Sequence, residues 1–260
     1  AVEKAKQAAE DKAKEAEKEA HAKLLEEAQQ KFADDERDEK ARHELLKKNR
    51  ESREAGAKLT GNRDKTLARV TRFQNRLKLF KGESEVDVVF KDIDGVDASK
   101  YVSELADLIL EAAGNTVKLK ELNSIVKVCS RLHATYEEFS ALLSKSILKA
   151  FQTTPAGDLN RRRFLLRMCA ELCLTECVVA QGCPLPAMVK ELSDVSCSEE
   201  QVITNFTIIA SLAQKHAPSC FNTLPAKQAA YAEILGKEWV VRKCVLDEAS
   251  QAHLQKMVVT

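Results

Sequence analysis

The sequence predicts an all-α protein: an α-solenoid of antiparallel HEAT-like helix hairpins, preceded by a long charged helix. Three observations carry this prediction. From about residue 62 onward, apolar residues recur at three- and four-residue steps, which is typical of amphipathic helices. The connections between these segments are short, and short connections make neighbouring helices antiparallel. The first 55 residues contain neither Gly nor Pro, and about half of them are charged.

Residues 1–60 are predicted to be a charged helical leader, either a single helix or a disordered segment. Their residue types favour helix, and acidic residues precede basic ones at four-residue spacing, as in Glu19/Lys23 and Glu44/Lys48. Apolar residues form no heptad pattern that lasts three repeats, so a coiled coil is not indicated.

The central stretch, residues 97–151, contains three consecutive amphipathic helices. Gly114 and Asn115 end the first, because both residue types tolerate the left-handed conformation found after helices. Helix pairs recur with a period of about 40 residues, which is typical of HEAT repeats. A compact irregular helical bundle is the alternative. The apolar positions of the three helices are Tyr101, Leu105, Leu108, Ile109, Ala112, Leu119, Leu122, Ile125, Val126, Cys129, Leu132, Phe139, Leu142, Leu143, Ile147 and Phe151.

The segments on either side of this stretch complete the predicted domain, residues 61–260, which we expect to be truncated at its C-terminal end. A basic helix spans about 62–81, and the acidic segment 82–96 is predicted to be an extended strap. An almost entirely apolar helix spans 159–181. Shorter helices follow at about 185–192, 198–216 and 225–244, with a break at Pro218 and a last helix from about Asp247.

No enzyme motif is present. The sequence lacks a GxxxxGK[ST] phosphate loop, a GxSxG nucleophile motif and an HExxH zinc motif. We therefore predict no catalytic activity, catalytic residue, cofactor or metal. An alternative from another functional class is an enzyme whose site is assembled across repeats.

The eight cysteines are predicted to be reduced packing residues. Cys169, Cys173 and Cys177 lie one helical turn apart in the apolar helix, whereas disulfide-rich secreted domains are short and rich in loops. Cys129 and His133 have the spacing of a metal half-site. No second pair complements them, so packing is again the preferred interpretation.

The candidate functional residues are basic and lie in two groups. One is a stripe on the basic helix, and the other is a triplet at the start of the apolar helix. Such side chains can hold phosphates or acidic partners, so an RNA or acidic-partner surface is predicted; a solvated face with local ion pairs is the alternative. The residues are Lys65, Arg69, Arg72, Arg76, Arg161, Arg162 and Arg163.

Several motifs resemble a known family. RFQNRLKLFK precedes the block SKYVSELADLILEA, a Cys-Ser pair precedes a His-x-x-Tyr-x-x-Phe turn at residues 129–139, and LNRRRFLLRMCAEL follows. In this order they resemble the first middle domain of the second up-frameshift factors (regulators of nonsense transcripts two), the scaffold proteins of nonsense-mediated mRNA decay. The resemblance covers roughly residues 65–180.

The resemblance implies a HEAT-like middle domain of the initiation-factor-four-gamma type at residues 61–260. It also implies a non-catalytic scaffold that organises surveillance proteins on mRNA. Other decay proteins would be its partners, with the helicase and exon-junction-linked factors reached through the full-length protein. We further expect weak RNA contact, no membrane association, a monomeric fragment, and a location in the cytoplasm, the perinuclear region included. The alternative is another four-gamma-like middle domain that binds a DEAD-box helicase in translation initiation or splicing.

Overall fold

The structure, a computed structural model, describes residues 2–56, 62–178, 182–220 and 224–237, with side chains from residue 14 onward. These residues form α-helices and short 3-10 turns and contain no strand, which confirms the predicted all-α class. Among these residues, β-type pairing is limited to two isolated bridges, Asp64 with Val96 and Ala113 with Val117. The helices are α1 (Val2–Ala55), α2 (Leu67–Lys78), α3 (Val86–Gly95), α4 (Val102–Ala112), α5 (Leu122–Thr135), α6 (Phe139–Thr153), α7 (Leu159–Leu174), α8 (Leu185–Leu192), α9 (Glu199–Cys220) and α10 (Ala226–Leu235).

Helices α2 to α9 alternate between two layers. Each helix packs on the helix two positions further along the chain, so that α2, α4, α6 and α8 form one row and α3, α5, α7 and α9 form the other. Successive helices such as α2 and α3, or α8 and α9, contact across the layers. This arrangement is that of a solenoid of helix hairpins, as the sequence predicts, rather than an irregular bundle.

The core of the solenoid lies between the two layers. Its largest completely buried side chains are phenylalanines from α2, α6 and α7 and from the turn after α2: Phe73, Phe80, Phe139, Phe151 and Phe164. Burying each aromatic ring removes a large apolar area from water, so these residues contribute strongly to stability.

Helix α1 is continuous from Val2 to Ala55, as the single-helix alternative for the leader predicts. By contact, the chain divides into two compact units, and the division falls inside this helix. The first unit comprises Ala1–Ala41 and Leu224–Val241, and the second comprises Arg42–Thr223 and Arg242–Thr260. Within the first unit, the hydroxyl of Tyr231 on α10 donates to Oε2 of Glu27 at 3.2 Å, and the ammonium of Lys237 lies 4.1 Å from the ring centroid of Phe32.

The last turns of α1 are part of the second unit and pack on α5 and α7. Asn49 is buried; its Nδ2 donates to the carbonyl oxygen of Thr175 at 2.8 Å and to Oγ of Ser130 at 3.2 Å. Arg50 and Arg53 bind the carboxylate of Glu176. Residues 42–55 therefore belong with the solenoid by contact, although their composition is that of the leader.

The extended strap predicted at 82–96 is wrong. Residues Glu83–Glu85 form a 3-10 turn, and α3 follows directly. Val86, Val89 and Ile93 lie at three- and four-residue steps on one face of α3, and all three are buried against the solenoid. Burial of this face outweighs the modest preference of valine for strands.

Three predicted helix ends also need correction. Helix α7 ends at Leu174 rather than 181, because Glu176 adopts a left-handed φ of 51° and the chain turns. Helix α9 continues past Pro218 to Cys220, although the proline has no N–H to donate to the carbonyl oxygen of Gln214. Helix α10 ends at Leu235 rather than at about residue 244, and the residue that follows, Gly236, has a left-handed φ of 59°. The helix predicted from Asp247 lies outside the described residues.

The apolar spacing on α9 predicts an inward face of Val202, Phe206, Ile209, Ala210 and Ala213. Of these, Ile209 is buried, whereas Phe206 is exposed. The buried face also includes Asn205, Ile208, Leu212 and His216.

Among the described residues, no helix is both long enough and apolar enough to span a membrane.

Candidate interaction surfaces

Helix α2 is amphipathic, with an apolar face that packs on α3 and α4. Val70, Phe73 and Leu77 are buried on this face. The basic side chains of the predicted stripe lie on the remaining sides of the helix, or just before it. We call Lys65, Arg69, Arg72 and Arg76 the α2 basic face.

Three of the four residues of the α2 basic face lie close to carboxylates. Nη1 of Arg76 lies 3.1 Å from Oδ2 of Asp92 on α3, and Asp92 is largely buried. Nε of Arg69 lies 3.7 Å from Oδ2 of Asp64, and Nζ of Lys65 lies 3.4 Å from Oδ2 of Asp97. Both of these longer pairs are exposed on the basic side, so water and salt screen them strongly.

Arg72 differs from its neighbours. It is exposed and forms no ion pair within the part of the chain that the structure describes. The α2 basic face thus has an outer part, Arg69 and Arg72, that remains available to a phosphate. Its inner residue, Arg76, fastens α2 to α3.

The arginine triplet of α7 is mainly structural. The guanidinium of Arg161 donates to the carbonyl oxygens of Ala113 at 3.0 Å and Leu110 at 3.1 Å. It therefore satisfies carbonyls that the end of α4 leaves without helical donors. This role explains why the sequence places an arginine there, and it leaves little of the guanidinium for a ligand.

Arg162 is buried and cannot reach a phosphate in solution. Its Nη2 binds the carboxylate of Glu191 on α8, and its guanidinium lies 4.4 Å from the ring centroid of Phe151. Arg163 is half-buried. The triplet therefore does not form, together with the α2 basic face, one exposed basic surface. The sequence predicted Arg162 to lie on that surface because it does not show which side chains from other helices cover this arginine.

Glu171 is the most deeply buried carboxylate of the second unit. Its carboxylate accepts hydrogen bonds from Arg42 on α1, Nε to Oε2 at 2.9 Å and Nη2 to Oε1 at 2.8 Å. Burial acts to raise the pKa of Glu171, but the charges of His216 and Arg42, together with the hydrogen bonds from Arg42, lower it to about 2. The carboxylate is therefore ionised at neutral pH.

His216 faces Glu171 from α9. Its Nδ1 lies 3.7 Å from Oε1 of Glu171, and neither ring nitrogen has a hydrogen-bond partner. Burial lowers the pKa of His216 to about 3, against the opposing effect of the Glu171 carboxylate, so the imidazole is neutral at physiological pH. The cluster thus places a neutral imidazole beside a carboxylate that is held by an arginine.

An apolar strip on α9 was not anticipated from the sequence. Ile203 is 61% exposed, and Phe206, one helical turn further on, is also exposed. Val195, in the connection before α9, is exposed as well. The spacing of apolar residues alone cannot reveal such a strip, because the sequence does not show which face of a helix is covered by other helices.

No family model matches the sequence. Curated relatives do match part of it. The chain is 29% identical over 163 residues to "Regulator of nonsense transcripts UPF2" of Arabidopsis thaliana, which covers 58% of this chain and 13% of that protein. It is 25% identical over 175 residues to human "Regulator of nonsense transcripts 2", covering 65% of this chain and 13% of that protein. The chain thus spans only a small part of the length of these relatives.

Solved structures extend the likeness over most of the chain. The first MIF4G domain of the human nonsense-mediated decay factor UPF2 superposes with a TM-score of 0.78 at 21% identity, covering 91% of this chain and 77% of that one. The N-terminal domain of the same type from S. cerevisiae Upf2 gives a TM-score of 0.60 at 18% identity, covering 84% and 74%. The resemblance inferred from the sequence motifs is therefore confirmed, and the fold is that of the first middle domain of UPF2.

Proposed function

We propose that this chain is a non-catalytic scaffold domain of a nonsense-mediated mRNA decay factor. The observation that carries the proposal is that curated relatives and solved structures both lead to UPF2, and the structures lead to its first middle domain. The same likenesses favour mRNA surveillance over a middle domain that serves a DEAD-box helicase in translation initiation or splicing.

The architecture supports a scaffold role. A two-layer solenoid presents long rows of helix surface on a rigid core, and such surfaces suit protein partners. The buried cluster of Arg42, Glu171 and His216 joins α1, α7 and α9, which fits a structural role for these charged side chains. We propose other decay proteins as partners, including the helicase and exon-junction-linked factors through the full-length protein. We also propose a monomeric domain and a cytoplasmic location that includes the perinuclear region.

Depletion of the full-length protein in its own cells tests this proposal. A reporter mRNA with a premature stop codon should become longer-lived, while the same reporter without that codon should not change. Affinity capture of the tagged full-length protein should recover decay factors. Unchanged decay of the reporter, or recovery of initiation or splicing factors alone, would contradict the proposal.

A second candidate function is weak RNA contact by the α2 basic face. The exposed and unpaired guanidinium of Arg72, next to the weakly paired Arg69, supports it. Contacts of this kind neutralise phosphates without reading bases, so the binding should weaken as salt rises.

A further inference from the structure

Three cysteine sulfurs meet at the turn between α7 and α8. Cys169 and Cys173 lie one turn apart on α7, and Cys183 approaches them from the segment just before α8. The three Sγ atoms all lie within 4.8 Å of one another. Cys169 and Cys173 are buried, whereas Cys183 is only partly buried, so the cluster opens to solvent on one side.

The separations are those of thiols that could share one ion. Sγ of Cys173 lies 2.7 Å from Sγ of Cys183, well beyond the roughly 2.05 Å of a disulfide bond. Ligands at about 2.3 Å from a tetrahedral zinc ion lie about 3.8 Å apart. Three sulfurs within 4.8 Å of one another would fit around one zinc ion once the Cys173 and Cys183 sulfurs separate by about 1 Å.

We propose that Cys169, Cys173 and Cys183 form a binding site for one zinc ion. Sulfur ligands select soft or borderline metals such as zinc, and three protein ligands leave a fourth position for water or another donor. Cys220, the last residue of α9, is also buried, but it lies outside the group of three close sulfurs.

The protonation of the cluster is compatible with metal binding. Hydrogen bonds from Cys169 and Cys173 to its sulfur lower the pKa of Cys183. Burial raises the pKa of the Cys169 thiol. Zinc would displace the remaining thiol protons into solvent, which makes the affinity rise with pH.

Bound zinc would join the end of α7 to the start of α8. The chain between Cys173 and Cys183 would be closed into a small loop, and closing such a loop reduces the entropy of the unfolded chain. Zinc should therefore raise the melting temperature of the reduced protein.

Cobalt provides the test, because Co²⁺ occupies zinc sites and its thiolate complexes absorb light. We expect the reduced, metal-free protein to give a sulfur-to-cobalt absorption band with one equivalent of Co²⁺, and Zn²⁺ should remove that band. The variant Cys183→Ser should lose the band and the zinc-dependent rise in melting temperature. Cys183 is only partly buried, so this variant should keep its helical circular dichroism.

Cys177→Ala is the matched control. Cys177 is also buried and follows Cys173 by one turn, but it lies outside the cluster, and burial raises its pKa to about 12. This variant should bind cobalt as the unchanged protein does. The proposal is overturned if the reduced protein gives no thiolate band, if Cys183→Ser binds equally well, or if the purified protein holds a Cys173–Cys183 disulfide and takes up no metal after reduction.

Discussion

Arg42 and Glu171 form a two-point ion pair although 129 positions separate them in the sequence. The side chains are 13% and 6% exposed, so the pair is nearly removed from water. It links α1 to α7, the third helix of the row formed by α3, α5, α7 and α9. Together with the buried Asn49, it joins the last part of α1 to the solenoid.

Removing Arg42 should strongly destabilise the protein. In Arg42→Ala the carboxylate of Glu171 remains buried without its main partner, and we expect a loss of about 3 kcal/mol in the free energy of unfolding. Urea titration at neutral pH measures it. The control is Lys47→Ala on the same helix, whose exposed ion pair with Glu51 spans 3.9 Å; its effect should stay within about 0.5 kcal/mol.

The double variant Arg42→Met with Glu171→Met separates the two contributions to that loss. If the cost of Arg42→Ala comes from an uncompensated buried charge, replacing both partners with apolar side chains should restore most of the stability. Equal destabilisation by the single and double variants would contradict this explanation.

His216 should make the protein sensitive to mild acid. Its pKa is about 3 in the folded state and about 6.5 in the unfolded state, so the unfolded chain binds the extra proton between these pH values. Stability from His216 is thus complete above about pH 6.5 and is lost as the pH falls. At about pH 5 the loss should be about 2 kcal/mol.

The variant His216→Phe isolates this contribution. It removes the titrating group that faces Glu171, Arg42, Arg167 and Lys215, while keeping an aromatic ring in the core. Urea titrations at about pH 7.5 and about pH 5 should show a decrease in stability that is about 2 kcal/mol smaller for the variant than for the unchanged protein. His133, whose pKa burial also lowers, is present in both proteins and cancels in the comparison. Parallel pH curves would contradict the prediction.

Gly114 should resist substitution, unlike Gly95. Gly114 has a φ of 79°, and a Cβ there would lie 3.3 Å from Cα of Arg161 on α7. Gly114→Ala should therefore cost about 1–2 kcal/mol. Gly95 at the end of α3 has open space around its Cα, so Gly95→Ala should be neutral or stabilising by about 0.5–1 kcal/mol. Thermal unfolding of the two variants side by side checks the contrast, and equal melting temperatures would contradict it.

The helices α4 to α6 could be predicted closely from the sequence because their signals are local. The apolar spacing marks their buried faces, and Gly114 marks the end of α4. Helix α3 could not be predicted in this way, since the adjacent valines Val88 and Val89 resemble a strand pattern when the segment is considered alone. Only packing against the solenoid decides that Val89 is buried and Val88 exposed.

The candidate sites show the same limit. The spacing of apolar and charged residues identifies the exposed Arg72 and the apolar face of α2, since both features depend on the sequence of a single helix. They do not reveal that Arg162 is buried beneath Glu191 and Phe151, because its partners lie on α8 and α6. Nor do they reveal the cysteine cluster, in which Cys183 returns to α7 from the next connection. Contacts between distant segments decide these cases.

The α2 basic face should bind single-stranded RNA weakly and in a salt-dependent way. The informative variant is Arg69→Glu with Arg72→Glu, because these side chains are exposed and Arg72 has no ion-pair partner among the described residues. Arg76 is better left unchanged: a glutamate there would lie against Asp92 and disturb the contact between α2 and α3. Each lost phosphate contact should reduce the slope of log K against log salt by about 0.7, so the double variant should lose about 1.4.

A charge-matched control separates this local effect from the overall change in net charge. Lys145→Glu with Lys149→Glu makes the same charge change on exposed positions of α6. Labelled RNA titrated at low and at physiological salt should bind to this control nearly as well as to the unchanged protein, whereas the α2 variant should lose most of the low-salt binding. If both variants weaken equally, the binding reflects net charge alone. If the unchanged protein binds at neither salt concentration, Arg69 and Arg72 are ordinary solvated surface residues.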